Sequence, residues 1–320
     1  MIKAQYQSIL DNHTARQIGK IGVLYGGLSD EREVSLWSGQ AVYDALINVG
    51  LDAELIDVNK DFLSLMCTKP IDFAFIVLHG RGGEDGTVQA ILDWLNIPYT
   101  GSGVQASAIA MDKVCSKQMW QACGLPVLPQ MILTDNFDVD KVIATVGLPM
   151  AVKPALEGSS NGISKVEVRE QLLPAYEKAA QRHSSVMAET WVEGDEFTAA
   201  IIGGRALPLI RIKVEDGIYD FETKYVTGAD EYQCPCGLSE HQEKAIQALS
   251  LQAAEVLGVS DWCRVDVIMD KQGKVWLIEL NTIPGMTKTS LVPKAARVAG
   301  LSFEETVLTI LQASWENKDA

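Results

Sequence analysis

Residues Ile21–Tyr25 form a short apolar run that ends in Gly26-Gly27, the pattern of a buried strand running into a tight turn. Residues 35–49 carry helical spacing, and Gly50 just beyond them suits a helix stop. Residues 53–58 and 73–78 read as a second and a third strand, the latter running into His79-Gly80. Val88, Ile91, Leu92 and Leu95 then recur at i, i+3, i+4 and i+7, one face of a helix, with Asp85 placed as its N-cap. Strands alternating with helices predict a parallel α/β layer over roughly the first 100 residues.

From about residue 102 the pattern changes. Residues 111–122 read as one helix, stopped by Gly124-Leu125-Pro126. Residues 149–153 read as a strand leading into the turn-rich Glu157-Gly158-Ser159-Ser160-Asn161-Gly162, with another strand at 163–168. Further strands are expected at 186–191, 196–202, 206–213, 263–269 and 274–280, and helices near 290–299 and 303–315. A polar stretch, 214–237, interrupts the strands and has the length of a functional lid. The middle and end thus predict an α+β architecture joined to an α/β front.

The chain has 320 residues, 47% of them hydrophobic, enough for two or three packed domains. No apolar run approaches the ~20 residues of a membrane span. The first residues lack a basic start followed by an apolar stretch, so no secretory leader is expected and the protein reads as cytoplasmic. A net charge of −15 argues against a nucleic-acid partner but not against ATP, which needs only local cations and backbone N–H groups. Six cysteines fit neither a disulfide framework nor a zinc pattern and read as reduced, inert thiols. Four scattered histidines without an H-E-x-x-H make a zinc enzyme a poor expectation.

Candidate chemistry clusters at strand ends. Arg264 with Asp266, and Glu279 with Asn281, are spaced i, i+2, so each pair shares a strand face, while Val265, Val267, Ile278 and Leu280 point the other way into a core. Two carboxylates and an amide oxygen are hard ligands suited to Mg²⁺ carried with nucleotide phosphates; a solvated sheet face would look the same. Lys153 before the Gly/Ser-rich turn can neutralise phosphate, although no P-loop spacing is present and such a turn is often only a turn. Gly26-Gly27 lacks the dinucleotide fingerprint, which counts against a nicotinamide-dependent oxidoreductase. Glu31-Arg32-Glu33 precedes a helix, where acids favour the dipole or hold a substrate ammonium. His79 opens a loop with four glycines among eight residues, at the sheet edge where open α/β folds bind ligands. Gly285, in the turn-like stretch Asn281 to Thr287, is placed to offer an N–H to an oxyanion, or merely connects strand to helix.

In order, Gly26-Gly27, Glu31-Arg32-Glu33-Val34-Ser35, His79-Gly80-Arg81-Gly82-Gly83-Glu84-Asp85-Gly86, Met111-Asp112-Lys113, Lys153-Pro154, Glu157-Gly158-Ser159-Ser160, Lys224-Tyr225, Arg264-Val265-Asp266 and Glu279-Leu280-Asn281-Thr282 with Pro284-Gly285-Met286-Thr287 resemble the D-alanine–D-alanine ligases of the ATP-grasp superfamily. The likeness spans about residues 20 to 315. It implies a three-domain ATP-grasp fold: an N-terminal parallel α/β domain over 1–101, a central domain over 102–188 and a C-terminal domain over 189–320. It further implies that Lys113 and Lys153 contact ATP phosphates with Ser159, Ser160 and Lys224, and that Glu189, Trp191 and Glu196 line the adenine and ribose pocket. Asp266, Glu279 and Asn281 would bind two Mg²⁺ or Mn²⁺. Glu31 would hold the ammonium of the first D-alanine, with His79 nearby, and Ser290 with the Leu291 N–H would hold the carboxylate of the second. Tyr225 would join Ser159 and Glu31 in a hydrogen-bonded set, and Arg264 and the Gly285 N–H would stabilise the tetrahedral oxyanion. A cytoplasmic homodimer without membrane or nucleic-acid partners is the family expectation. Asn161 and Ile283 depart from the usual pattern, and the arm 1–19 has no counterpart. Two readings compete within the scaffold: a D-alanine–D-lactate ligase, against which Tyr225 counts, and a non-catalytic ATP-binding relative, against which the retained Arg264 and metal-ligand set count.

Overall fold

The computed structural model describes residues 17–156, 162–181, 185–213 and 232–318. Three sheets organise them. The first is parallel, with β1 (Ile21–Tyr25) between β2 (Ala53–Asp57) and β3 (Phe73–Ile76). β3 is buried throughout, as its uninterrupted apolar sequence requires. Helix α1 (Arg32–Asn48) follows β1 and lies so close to it that a Cβ on Gly39 would fall 2.4 Å from the Tyr25 side chain. Helices α2 (Phe62–Thr68) and α3 (Thr87–Trp94) complete the layer. The N-cap of α3 is Gly86, at φ 90°, not Asp85; the Asp85 carboxylate instead accepts from the Gly82 and Thr87 N–H groups.

The helix expected over 111–122 is α5 (Lys113–Ala122), and a further helix, α4 (Val104–Met111), stands just before it. Asp112 breaks them, in extended conformation, and its carboxylate accepts from the N–H groups of Val114 and Cys115. The second sheet is antiparallel, ordered β4 (Gln130–Leu133), β7 (Val186–Thr190), β5 (Met150–Pro154), β6 (Ser164–Val166). Helices α6 (Val139–Val146) and α7 (Leu172–Ala180) cover it and build a separate core around Val142, Val152 and Leu172.

The third sheet runs β11 (Tyr232–Gln233), β10 (Ile210–Ile212), β8 (Gly194–Ile202), β12 (Trp262–Asp270), β13 (Val275–Asn281), with β9 (Arg205–Ala206) beside β8. The strand predicted over 206–213 is thus split around Leu207 to Leu209, where Pro208 offers no N–H to a ladder. Helix α8 (Glu240–Val256), capped by the Ser239 hydroxyl, packs on this sheet through Ile246, Ala253 and Ala254. Helices α9 (Leu291–Val298) and α10 (Phe303–Lys318) turn back onto the first layer, and α10 lies against α1. One core therefore runs from Val42 and Phe73 of the parallel layer to Trp262, Leu308 and Leu311 at the far end of the chain. Among the described residues no helix is long and apolar enough to cross a membrane.

Candidate active site

β12 and β13 pair antiparallel with Arg264 opposite Asn281 and Asp266 opposite Glu279. Alternation then sets all four polar side chains on one face and buries Val265, Val267 and Leu280 on the other. A bulge after Asp266 pairs Val267 with Leu277, so Leu277 fills the core and Ile278 is only half-buried, contrary to the simple alternation. The Arg264 guanidinium forks onto Asp266, at 2.9 Å from Nε to Oδ1 and 2.7 Å from Nη2 to Oδ2, and the Thr198 hydroxyl donates to Oδ1 at 2.6 Å. Lys113 Nζ stands 3.1 Å from Glu279 Oε2. Two carboxylates facing each other across adjacent strands, with the Asn281 amide beside them, suit a hard divalent cation whose remaining ligands are phosphate oxygens. Among the described residues no set of three or more His, Cys, Asp or Glu is grouped to hold a metal ion.

Behind Lys113 lies a buried charge cluster. Lys153, near the end of β5, donates to Glu189 Oε2 at 2.7 Å. Lys117, fully buried on α5, donates to Glu189 Oε1 and to the Leu277 carbonyl at 3.0 Å. Burial works against the Glu189 charge, but the two ammonium groups outweigh it and hold the carboxyl below its ordinary range. The Glu189 carboxylate, expected to line the adenine and ribose pocket, is instead buried, with its two oxygens taken by Lys117 and Lys153. Lys117 was not among the sequence candidates; its signal is the i+4 spacing from Lys113 on the same helix. Trp191 follows β7 directly, its N–H donating to the Pro149 carbonyl at 3.0 Å, with Lys165 Nζ 5.4 Å from its ring centre. Glu196 sits on β8 opposite Ile268, near enough to add to the field that favours the charged form of Lys153.

On the other side of the β12–β13 face a cavity opens between the first layer and the segment after β13. Its walls include Glu31, His79, Glu84, Arg264, Gly285 and Ser290, with the start of α9 at Leu291. Glu31 immediately precedes α1, whose first residue, Arg32, is pinned to Asp57 at the end of β2 by a two-toothed ion pair. Glu84, a residue that the motif reading quoted without a role, has a side chain 13% exposed, and its Oε1 is 3.7 Å from His79 Nδ1. Burial pushes its carboxyl up, partly offset by His79. Tyr232 of β11 also lines the cavity and carries Lys294 Nζ 3.9 Å above its ring. Both ring nitrogens of His79 are engaged, with Ile283 O at 2.9 Å from Nδ1 and Ser38 Oγ at 3.2 Å from Nε2. Ser290 is the N-cap residue of α9 but does not cap it; its Oγ accepts from the Thr287 N–H and pairs with the Thr287 hydroxyl. The first turn of α9 therefore faces the cavity with the positive end of its dipole, a setting for a carboxylate.

Ser159, Ser160, Lys224 and Tyr225, with most of the polar stretch 214–237 and of the arm 1–19, lie outside the described residues. All six cysteine thiols are free, and burial pushes Cys263 up to about 12 and Cys234 to about 11, as expected of inert thiols.

Residues 119–312 match the family model described as D-ala D-ala ligase C-terminus, and residues 63–102 match its N-terminus counterpart. The chain is 52% identical over 304 residues to a D-alanine–D-alanine ligase of Acinetobacter baumannii, covering 94% of this chain and 98% of the relative. It is 46% identical over 309 residues to that of Pseudomonas putida, covering 97% of each. The fold superposes on the crystal structure of a D-alanine–D-alanine ligase from Bacillus anthracis complexed with ATP with a TM-score of 0.83 at 31% identity, covering 94% of this chain and 99% of that one.

Proposed function

The chain belongs to the D-alanine–D-alanine ligase family, and on that premise we propose how its residues share the work. It is an ADP-forming carbon–nitrogen ligase that joins two D-alanines at the expense of ATP, supplying a dipeptide for peptidoglycan precursors. The observation that carries the residue assignment is the β12–β13 face. It stands between the Lys113 and Lys153 ammonium groups on one side and the Glu31, Ser290 and Gly285 cavity on the other.

A carboxylate oxygen of the first D-alanine attacks the γ-phosphorus, and ADP leaves. The amine of the second D-alanine then attacks the acyl phosphate, the carbonyl electrons move onto oxygen, and collapse expels phosphate as the amine loses a proton. Lys113 and Lys153 neutralise the phosphates. Trp191 and Glu196 border the nucleotide's base and sugar, and Glu189, buried against Lys117 and Lys153, holds the phosphate-binding Lys153 in place. Asp266, Glu279 and Asn281 would hold two Mg²⁺ or Mn²⁺, which supply charge neutralisation at the transferring phosphoryl oxygens. Glu31 binds the ammonium of the first D-alanine beside His79. The Ser290 hydroxyl and the Leu291 N–H bind the carboxylate of the second. Arg264 and the Gly285 N–H face the oxyanion. Ser159, Ser160, Lys224 and Tyr225 complete the phosphate and substrate contacts. The order of the three sheets along the chain supports three units, proposed at 1–101, 102–188 and 189–320, but the second boundary cuts β7, which belongs whole to the four-stranded sheet. A cytoplasmic homodimer is the state in which we place it.

The test is phosphate release from Mg-ATP with D-alanine, L-alanine, or D-alanine plus D-lactate, with products identified by mass. Dipeptide from D-alanine alone is expected. A depsipeptide as the main product of the mixture at neutral pH moves the chain to the lactate branch, and turnover with L-alanine alone contradicts the D-alanine specificity.

A further inference from the structure

Three hydrogen bonds join helix α1, the loop after β3 and the segment after β13 in one line. The Met286 N–H donates to Ser38 Oγ at 3.2 Å. The Ser38 hydroxyl donates to His79 Nε2 at 3.2 Å. His79 Nδ1 is 2.9 Å from the Ile283 carbonyl, so Nδ1 carries the proton and donates. All four residues are buried. The histidine is itself fixed: the Ser29 hydroxyl donates to its carbonyl, and the Ser35 hydroxyl donates to that of Val77, each at 2.6 Å.

The line grips Ile283 and Met286, and only Pro284 and Gly285 lie between them. Both of these face the cavity. Proline fixes one backbone angle of this pair. With the carbonyl before it and the N–H after it held, the peptide plane that carries the Gly285 N–H has little freedom left. His79 touches the cavity wall, and both of its ring nitrogens are engaged in this line, with Glu84 Oε1 3.7 Å from Nδ1.

We propose that Ser38 and His79 are positioning residues that aim the Gly285 N–H at the oxyanion formed when the second amine attacks the acyl phosphate. The inference rests on the reading of Gly285 given above and deepens it. A donor aimed at developing charge acts only at close range, and misplacement by about 1 Å can cost about 100-fold. Formation of the acyl phosphate at the Lys113 and Asp266 side does not use this N–H.

Ser38→Ala removes two of the three bonds. It is expected to lower kcat roughly 10- to 100-fold, with KM for Mg-ATP within about twofold. Affinity for a phosphinate mimic of the tetrahedral intermediate should fall by a similar factor. D-Alanine-dependent scrambling of the β–γ bridging oxygen of ATP, which reports the first step alone, should continue at the wild-type rate. His79→Gln should lower turnover and phosphinate affinity by a similar factor, and the double variant should lose no more than the worse single one, because the line acts as a unit. Ser38→Cys keeps the volume and weakens the bonds, and it carries the test if the alanine variant does not fold. A folded variant with unchanged turnover and phosphinate affinity overturns the proposal, as does scrambling lost in step with turnover. A wild-type enzyme that makes dipeptide yet binds the phosphinate no tighter than the dipeptide removes the Gly285 reading, and the proposal with it.

Discussion

Glu189 is 3% exposed and shares its two oxygens between Lys117 and Lys153. Its folded-state pKa lies below the ordinary 4.5, so the unfolded chain takes up the proton more readily. Its contribution to stability is therefore complete above about pH 4.5 and is lost as pH falls through the folded-state value. Glu189→Gln removes the carboxylate that both buried ammonium groups bond to, and is expected to cost about 3–5 kcal/mol at neutral pH. In urea unfolding followed from neutral pH downward, the gap to wild type should narrow below about pH 4.5; a gap that stays constant contradicts the assignment. Such clusters mark what a sequence conceals at this scale. Arg264, Asp266, Glu279 and Asn281 were legible because their spacing is a strand's own period, and the missing register was the only unknown. Lys117 offered only its i+4 spacing from Lys113, which a solvated helix face shows equally, and Ser38 was not legible, since a serine on a helix looks solvated. Their burial is created by partners 72 and 41 residues away.

Asp112 shows how one side chain decides an element. By closing α5 at its start it fixes where Lys113 and Lys117 stand relative to β13. Asp112→Ala is expected to cost about 1 kcal/mol and to raise KM for ATP more than it lowers kcat. Asp112→Asn, which still accepts the two N–H groups, should remain near wild type in both. Equal behaviour of the two variants in thermal melts and kinetics would refute this account. β1, β2, β3, β12 and β13 were legible to within two residues, because an apolar or alternating strand writes its own pattern. The sequence reading has no counterpart for α2, α4, α6, α7 or α8. In α8 the buried face is Ile246, Ser250, Ala253 and Ala254, small residues whose burial leaves only a faint apolar stripe. The bulge at Ile278 was illegible for another reason: it is a relation between two strands and belongs to neither alone.

The molecule as a whole has its cores distributed unequally. The parallel layer and the last two helices share one core, the six-stranded sheet adds another against α8, and the four-stranded sheet keeps its own. Calorimetry without nucleotide is expected to show the four-stranded sheet unfolding apart from the rest. Leu311, fully buried on α10, belongs to the shared core, so Leu311→Ala should cost about 2–5 kcal/mol and move only the transition that includes the parallel layer. A single transition for the entire chain, displaced as one by that substitution, would overturn this division. The expected three-domain order was legible in outline from the switch between alternating and strand-rich patterns. The sharing of a core between chain ends was not, because it depends on α10 returning to α1 across more than half the sequence.

The lining of the cavity has a consequence for descent. Among the described residues, none of its walls comes from β4, β5, β6 or β7, whereas Lys153 and Glu189 both do. The Lys153–Glu189 part of the nucleotide grip and the amino-acid cavity therefore stand on separate units that meet at the β12–β13 face. Lineages can rework the four-stranded sheet without reshaping the acceptor pocket directly, while a change as remote as the last helix presses on the layer that holds Glu31 and His79.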